Sequence, residues 1–302
     1  MTGKLCSSIG LLGTAALALL PVTAMAQELG RPSPGEIGLQ PSATPIMDSI
    51  RAFHNGPLLW TAVLIALLVL VLLIIVVVRF NARANPRPSS TTHNTLVEII
   101  WTVVPILVLV IIAIPSFAEL TDQLTVPDGQ RKYLGSNIFS FGDVEVPAVG
   151  LTIKATGQQW YWDYEYVDQG KSISSSILTE DARLAQVPVQ PRLLAVDYQL
   201  VVPVDTTVRM QVTADPVGVI HAFAMPAFGI KIDAVPGKLN ETWFNAQKTG
   251  IFYGQCSELC GKDHAFMPIA IRVVTKEEFA AWMAAFEAGT VDDANATLPA
   301  LS

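Results

Sequence analysis

The clearest pattern along the chain is a pair of long apolar runs without a charged residue. The first covers Pro57–Val78 and the second covers Ile99–Ala118. A helix needs about 20 apolar residues to cross the hydrocarbon core of a bilayer, and both runs reach that length. Pro105 and Pro115 interrupt the second run, and proline in a membrane helix is tolerated where neighbouring helices satisfy the carbonyls that it frees. The pattern predicts a transmembrane hairpin over residues 57–118, within a larger complex.

Two segments of different character precede the hairpin. Lys4, the apolar run Ile9–Val22 and Ala24-Met25-Ala26 follow the pattern of a secretory signal peptide, which we predict over residues 1–26. An uncleaved helical anchor is the alternative. The next segment, residues 27–56, is rich in proline, glycine and serine, and this composition predicts an extended, poorly ordered periplasmic arm.

The loop between the apolar runs sets the orientation in the membrane. It carries Arg79, Arg83 and Arg87 and no acidic residue. Short loops rich in arginine and lysine stay on the cytoplasmic side. The sequence therefore predicts a multi-pass protein of a bacterial inner (cell) membrane, with both ends of the mature chain in the periplasm.

Composition agrees with a membrane protein and restricts its partners. Hydrophobic residues make up 51% of the chain and charged residues 15%, and the mean hydropathy is +0.44. The formal net charge is −7, and the acidic excess lies in the part that begins at Glu119. Such a domain attracts a basic soluble partner and repels nucleic acid.

Beyond Glu119 the helical period gives way to short β-branched segments bounded by Pro, Gly or Asp. Segments at this spacing predict an antiparallel sandwich or barrel. Thr275-Lys276-Glu277-Glu278 is a capping box and predicts a terminal helix through Phe286. The predicted domain covers residues 119–288, and residues 289–302 are predicted to be a flexible tail. The predicted strands are Leu151–Ile153, Leu193–Val204, Val208–Thr213, Thr242–Phe244 and Ile269–Val274.

The stretch Cys256–Met267 concentrates side chains that bind soft metals. Cys260, His264 and Met267 form a C-x3-H-x2-M pattern, and Cys256 lies four residues before Cys260. Thiolate, imidazole and thioether donors suit copper, and two close thiolates can bridge two copper ions. Three alternatives use fewer donors: a disulfide in an oxidising compartment, a Cys2His2 zinc site without Met267, and a mononuclear copper site without Cys256.

The run CSELCGKDHAFMP, with His221 placed 35 residues before Cys256, resembles the CuA signature of cytochrome c oxidase subunit II. The resemblance implies a membrane-anchored all-β fold in which a two-helix transmembrane hairpin is followed by a cupredoxin-like Greek-key β-barrel. It also implies a centre of two copper ions bridged by two thiolates. The implied ligands are the sulfurs of Cys256, Cys260 and Met267, the imidazoles of His221 and His264, and the main-chain oxygen of Glu258.

The same resemblance implies a function within a complex. A subunit of this kind accepts electrons from cytochrome c and passes them to haem in subunit I, where oxygen is reduced and protons are pumped. The carboxylate of Glu258 is implied to help bind a magnesium ion at the interface with subunit I. No Cys-x-x-Cys-His occurs in the sequence, so we expect no haem in this chain. A quinol oxidase subunit II without copper and a membrane-tethered copper carrier are the rival interpretations.

Two further stretches resemble the same family. In THNTLVEIIWT, Glu98 matches a glutamate at the mouth of a proton channel into subunit I, and His93 is a second candidate. The alternative for Glu98 is an acid stabilised by the dipole at a helix N-terminus. In QQWYWDYEY, Trp160 matches the surface tryptophan through which cytochrome c passes its electron. Alternate residues of this stretch share one face of a strand, so core packing or an interfacial aromatic belt is the alternative.

Three carboxylates resemble the docking acids of the family. Glu165, Asp197 and Asp215 fall where carboxylates meet the lysines of cytochrome c, although each could equally be a solvated acid at a strand edge. Charges at the rim of an interface chiefly set the association rate. Segments 121–148 and 168–191 depart from the family pattern, and we interpret them as contacts to further oxidase subunits or to an atypical donor.

Overall fold

The two apolar runs form long helices. The computed structural model describes residues 30–87, 89–133 and 144–300; the predicted signal peptide lies outside these ranges. Helix α1 (Pro45–Phe53) continues through a π-helical turn into α2 (Leu59–Arg79), and α3 covers Thr95–Leu124. Both helical segments are long and apolar enough to cross a membrane. Their apolar side chains point outward along most of their length, as lipid-facing helices require.

Helix α3 extends further than the apolar run that predicts it. Its N-terminus is capped by Asn94, whose side chain accepts a hydrogen bond from the amide of Val97. The helix passes through both prolines and ends at Leu124, so the predicted domain boundary at residue 119 falls inside it. The additional turn is polar, and it is held by contacts with the β-domain rather than by lipid.

Within the described part of the predicted arm, residues 30–56, the chain forms a helix and specific contacts, contrary to the predicted extended and poorly ordered arm. Residues 45–53 of the predicted extended arm form α1, capped by the side chain of Thr44. Upstream of the helix, Ala43 exchanges backbone hydrogen bonds with Ala227 and Gln247. Proline and glycine composition could not predict this order, because the partners of the arm lie about two hundred residues away in the sequence.

The β-domain consists of two five-stranded sheets and a short hairpin. The sheet orders are β10-β7-β3-β4-β5 and β6-β12-β11-β8-β9, and β1 pairs with β2. Most pairs are antiparallel as predicted, but β3–β7 and β6–β12 are parallel. The strands are β1 Lys132–Tyr133, β2 Val144–Glu145, β3 Val149–Gln158, β4 Tyr161–Tyr166, β5 Lys171–Ser175, β6 Leu200–Pro203, β7 Thr207–Ala214, β8 His221–Met225, β9 Ile230–Ala234, β10 Asn240–Asn245, β11 Gly250–Cys256 and β12 Pro268–Val274.

Large aromatic side chains fill the core between the sheets. Trp162, Tyr164 and Tyr166 of β4 are fully buried, so core packing is the correct interpretation for these residues. The predicted strand from Leu193 is shorter than expected and begins at Leu200. Residues 192–194 form a turn in which Leu193 has a φ of +64°, and Val196 makes only an isolated bridge with Ile177. Segment 168–191 contains β5 and the short helix α4 (Glu180–Leu184).

The C-terminal helix forms as predicted, but residues 289–300, the described part of the predicted flexible tail, contain a further helix. The capping box between Thr275 and Glu278 begins α5 (Lys276–Ala288), which packs Trp282 and Phe286 against the barrel. The predicted flexible tail contains a further helix, α6 (Val291–Asn295), with its own capping box at Thr290. Asn295 accepts a hydrogen bond from the indole of Trp282, and this long-range contact gives α6 a fixed position.

Candidate metal centre

Three elements bring the predicted metal donors to one end of the barrel. His221 is the first residue of β8, Cys256 is the last residue of β11, and Met267 directly precedes β12. Antiparallel pairing places Cys256 opposite Phe223, so the end of β11 lies beside the start of β8. The fold thus brings together donors that are 35 residues apart in the sequence.

Each cysteine sulfur has its own imidazole neighbour. Cys256 Sγ lies 3.9 Å from His221 Nδ1, and Cys260 Sγ lies 3.5 Å from His264 Nδ1. The two sulfurs are 3.9 Å apart. The thioether sulfur of Met267 lies 3.5 Å from Cys260 Sγ. We call these five side chains the donor cluster.

A sixth donor is a main-chain oxygen. The carbonyl of Glu258 lies 3.3 Å from Cys256 Sγ, while the carboxylate of Glu258 belongs to an exposed residue. The structure therefore gathers all six predicted copper ligands at one site. Among the described residues, His221, Cys256 and Cys260 form the group of metal-binding side chains whose ligand atoms lie within 4.8 Å of one another.

Burial keeps the donor cluster out of water. His221 is fully buried and Cys256, Cys260 and Met267 are at most 5% exposed, whereas His264 is half-buried. Burial lowers the pKa of His221, and the nearby His264 adds to this effect, so the imidazole is neutral and keeps a lone pair. Burial and the neighbouring thiol of Cys256 raise the pKa of Cys260. A metal ion must therefore displace a thiol proton when it binds.

The geometry favours a metal over a disulfide. A disulfide requires its sulfurs to be about 2.05 Å apart, and the free thiols of Cys256 and Cys260 are 3.9 Å apart. His221 turns Nδ1 toward Cys256 Sγ, and His264 turns Nδ1 toward Cys260 Sγ. Thiol, thioether and imidazole groups that converge in this way fit a soft or borderline metal ion.

The comparisons with known proteins identify the family of the chain. The family model described as cytochrome c oxidase subunit II, transmembrane domain, matches residues 32–118, and the model of the periplasmic domain of the same subunit matches residues 151–274. The chain belongs to the cytochrome c oxidase subunit II family. The expected fold, a two-helix hairpin followed by a cupredoxin-like β-domain, is therefore confirmed, and the protein is a membrane protein with a periplasmic domain.

Individual relatives share most of their length with this chain. Probable cytochrome c oxidase subunit 2 of Rickettsia bellii is 45% identical over 269 residues, which cover 89% of this chain and 91% of that protein. Cytochrome c oxidase subunit 2 of Cereibacter sphaeroides is 39% identical over 308 residues, covering 95% and 94%. The crystal structure of the periplasmic domain of subunit II of cytochrome oxidase of Bradyrhizobium japonicum is 58% identical and covers 51% of this chain and 99% of that one, with a TM-score of 0.42.

Two residues that the sequence analysis did not assign to the site support the donor cluster. Gly157, at the end of β3, packs against His221 so closely that a Cβ atom would lie 2.9 Å from the imidazole ring. Trp162 contacts the same imidazole edge-on and donates from its indole nitrogen to the carbonyl of Met267 at 3.3 Å. Neither role has a local sequence signal, because both arise where separate strands meet.

Trp160 is a partly exposed residue that contacts the loop of the donor cluster. Its indole nitrogen donates to the carbonyl of Cys260 at 3.1 Å. Gly261 has a φ of +126°, and a Cβ atom there would lie 2.9 Å from the Trp160 ring, so only glycine allows this close approach. The ammonium group of Lys262 covers the ring at 5.4 Å. Trp160 therefore contacts the backbone of a donor residue, and its side chain is partly exposed to solvent.

Glu98 and His93 lie far from the donor cluster in the fold. Glu98 occupies the first turn of α3, where an acid is favoured by the helix dipole. The helix has 30 residues and spans about 45 Å, with the barrel at its other end. His93 is exposed and contacts Thr92. The structure therefore separates these two residues from the donor cluster.

The three candidate docking acids have different local roles. Glu165 forms a partly exposed ion pair with Lys154 at 3.7 Å. One carboxylate oxygen of Asp197 accepts the backbone amides of Ser176 and Tyr198, each at 2.7 Å. Asp215 accepts the amide of Val217 at 3.0 Å. Asp197 and Asp215 thus organise loops, and Glu165 is the least constrained of the three.

Proposed function

We propose that this chain is the electron-accepting subunit of a cytochrome c oxidase in a bacterial inner membrane. It receives electrons from cytochrome c at a dinuclear copper centre and passes them to haem in subunit I, for oxygen reduction coupled to proton pumping. The observation that carries the proposal is the symmetry of the donor cluster. Each of the two thiols has one imidazole within 3.9 Å, as a pair of metal ions shared by both sulfurs would require.

The protein positions the proposed copper ligands and excludes water from most of them. Two bound copper ions supply a one-electron redox couple. The barrel strands hold the donors from both sides, so the ligands are preorganised and need little rearrangement when an electron arrives or leaves. The residues that would hold the ions are His221, Cys256, Glu258 through its carbonyl, Cys260, His264 and Met267.

The two rival functions do not account for the number of converging donors or for the burial of the cysteines. A quinol oxidase subunit needs no copper donors, yet six converge here. A copper carrier needs an exchangeable site, whereas the cysteines of this site are at most 5% exposed. Co-purification with a haem-bearing subunit would separate an oxidase subunit from a carrier.

Copper analysis and electron paramagnetic resonance on the full chain test the proposal. We expect two copper ions per chain and hyperfine splitting from one electron shared over two nuclei. One copper ion with splitting from a single nucleus would contradict the dinuclear centre and favour a mononuclear carrier.

We propose that Trp160 is the point at which electrons arrive. Its hydrogen bond to the carbonyl of Cys260 gives a direct contact between the surface and a donor residue. Trp160→Phe keeps an aromatic ring but removes this hydrogen bond. We expect slower reduction of the copper centre with unchanged binding of cytochrome c, and an undiminished rate would refute this role.

We propose that Glu98, with His93 beside it, lies at the entrance of a proton channel in subunit I. Both lie near the cytoplasmic loop that carries Arg79, Arg83 and Arg87. Glu98→Gln should reduce turnover and proton uptake without changing the copper signal. Normal proton uptake in this variant would leave Glu98 with a helix-stabilising role only.

We propose a magnesium ion at the interface with subunit I, bound in part by the carboxylate of Glu258. The carboxylate is exposed, and the copper centre would use only the carbonyl of this residue. Glu258→Gln should therefore remove magnesium from the purified complex and leave its copper content unchanged. Equal loss of both metals would show that the two sites are not separable in this way.

A further inference from the structure

The last two turns of α3 bury two acidic residues. Glu119 and Asp122 are 7% and 6% exposed, and they are the buried residues of this helix. Buried carboxylates are unfavourable unless hydrogen bonds or opposite charges compensate for lost hydration. The end of this helix must therefore find partners outside the helix itself.

The barrel supplies hydrogen bonds that the end of a helix lacks. The last four carbonyls of an α-helix have no partner within the helix. The indole nitrogen of Trp243 donates to the carbonyl of Asp122 at 2.7 Å, and the hydroxyl of Thr242 donates to the carbonyl of Gln123 at 2.9 Å. Both donors belong to β10, which is an edge strand of its sheet. This edge strand therefore caps the C-terminal end of a membrane helix.

Side chains complete the connection. The carboxylate of Asp122 accepts a hydrogen bond from the guanidinium of Arg131 at 2.7 Å. That guanidinium lies over the ring of Tyr133, which packs edge-on against Trp243 at a centroid distance of 5.0 Å. The tyrosine hydroxyl donates to the carbonyl of Thr125 at 3.0 Å. We call this set the helix clasp: Asp122, Gln123, Arg131, Tyr133, Thr242 and Trp243.

The first membrane helix joins the barrel beside the helix clasp. Ser49 of α1 donates to the carboxylate of Glu119 on α3. The hydroxyl of Thr44, at the start of α1, donates to the carbonyl of Phe228 at 2.7 Å. Both helical segments are therefore fixed to the barrel, and the connection is not a single flexible link.

Hydrogen-bonded strands connect the helix clasp to the donor cluster. Trp243 of β10 pairs with Arg209 of β7, and β7 pairs with β3 up to the register of Ala214 with Gly157. Gly157 in turn packs against His221. One continuous sheet therefore joins the strand that holds the helix end to the strand that packs against a donor.

We propose that the helix clasp fixes the position of the donor cluster relative to the membrane helices, and that Thr242 and Trp243 are positioning residues for electron transfer out of the site. This inference rests on the proposed function, because it requires an electron acceptor in a partner subunit. In enzyme reactions a misplacement of about 1 Å can cost on the order of 100-fold in rate.

The test uses the assembled oxidase complex with the double variant Thr242→Val and Trp243→Phe. Each substitution removes one donor to the helix. Thr242→Val is nearly isosteric, whereas Trp243→Phe also removes packing volume, a loss that the control below reproduces. Trp282→Phe is the matched control, because Trp282 is also fully buried and donates a single indole hydrogen bond, to Asn295 at 2.9 Å on the C-terminal helices. Four quantities are measured: copper reduction rate, copper reoxidation rate, the copper resonance spectrum, and hydrogen exchange over residues 119–133.

In the double variant we expect faster hydrogen exchange over residues 119–125 and reoxidation slowed about tenfold. The reduction rate and the copper spectrum should stay unchanged, and Trp282→Phe should leave both rates and the spectrum unaltered. An unchanged reoxidation rate would overturn the inference, whether or not exchange increases. A changed spectrum would also overturn it, because the substitution would then act on the donors themselves. Failure of the proposed function is distinguishable, since the unmodified complex would then lack the dinuclear copper signal.

Discussion

The helix clasp and the donor cluster both contain buried polar groups, and they differ in how these groups are satisfied. In the helix clasp the indole of Trp243, the hydroxyls of Tyr133 and Thr242, and the guanidinium of Arg131 each donate to an oxygen at 2.7 to 3.0 Å. In the donor cluster the sulfur and nitrogen atoms that face one another are 3.5 to 3.9 Å apart. Thiols are weak hydrogen-bond donors, so the helix clasp is held by strong hydrogen bonds within the protein, whereas the donor cluster is held by weak sulfur contacts that metal bonds would replace.

The difference has an energetic consequence. A buried polar group without a partner costs about 1–3 kcal/mol of stability. The buried Nε2 atom of His221, which has no partner among the described residues, therefore lowers stability, and a metal ion bound by the sulfur and Nδ1 atoms would offset this cost. The helix clasp has no such deficit and contributes in the presence and absence of metal alike. The predictions below separate these two behaviours.

The largest effect is expected from removing a bridging thiol. Cys260→Ser replaces a soft sulfur donor that contacts Cys256, His264 and Met267. We expect at least one of the two proposed copper ions to be lost, with the shared-electron signal and oxidase turnover abolished. Copper analysis and resonance spectra measure this. Ser257→Ala is the control because Ser257 adjoins Cys256 without belonging to the donor cluster, and a wild-type spectrum in Cys260→Ser would contradict the site.

Removal of copper should lower the thermal stability of the chain, and the size of this change should not depend on the helix clasp. A ligand present at about a thousand times its dissociation constant stabilises the folded state by about 4 kcal/mol. We therefore expect copper to raise the midpoint of thermal unfolding of the full chain. Trp243→Phe should lower this midpoint by the same amount with and without copper, because its hydrogen bond belongs to the helix clasp. A copper-dependent effect of Trp243→Phe would show that the two regions are energetically coupled.

A smaller effect is expected from Gly157→Ala. The added Cβ atom would lie 2.9 Å from the ring of His221. Overpacking in a well-packed core costs about 1–3 kcal/mol, so we expect a lower free energy of unfolding and faster dissociation of copper. Gly38→Ala is the matched control, since a Cβ atom at Gly38 meets no atom within 4 Å. Equal copper dissociation from both variants would show that Gly157 does not position His221.

The sequence allowed the donor cluster to be predicted, and the reason is its locality. Cys256, Cys260, His264 and Met267 lie within one loop, so their spacing is visible without the fold. His221 is remote, and it was assigned only through the resemblance to the family. The aromatic core of β4 was also predictable, since alternation along a strand determines which side chains share a face.

The helix clasp could not be predicted, because nothing local marks it. Thr242 and Trp243 are ordinary strand residues by pattern, and their acceptors lie about 120 residues earlier in the chain. The same reason explains why the sequence prediction missed helices in the N-terminal arm and in the C-terminal tail. Helix α1 and helix α6 lie in segments whose composition is typical of disorder, and contacts with distant parts of the chain fix them.

The smallest effects are expected from the candidate docking acids, and these acids differ from one another. Glu165 pairs with Lys154 at 3.7 Å, and both side chains are about two-fifths exposed, so Glu165→Gln should change stability by less than about 1 kcal/mol. Its expected effect is about a twofold slower association with cytochrome c at low salt, which disappears at high salt because exposed charges are screened. Asp197→Asn weakens two hydrogen bonds to backbone amides, so it should lower stability by about 1 kcal/mol. Stopped-flow association at two salt concentrations and urea unfolding measure both effects. If Asp197→Asn slows association but leaves stability unchanged, its carboxylate serves the partner rather than the loop, and the distinction from Glu165 is wrong.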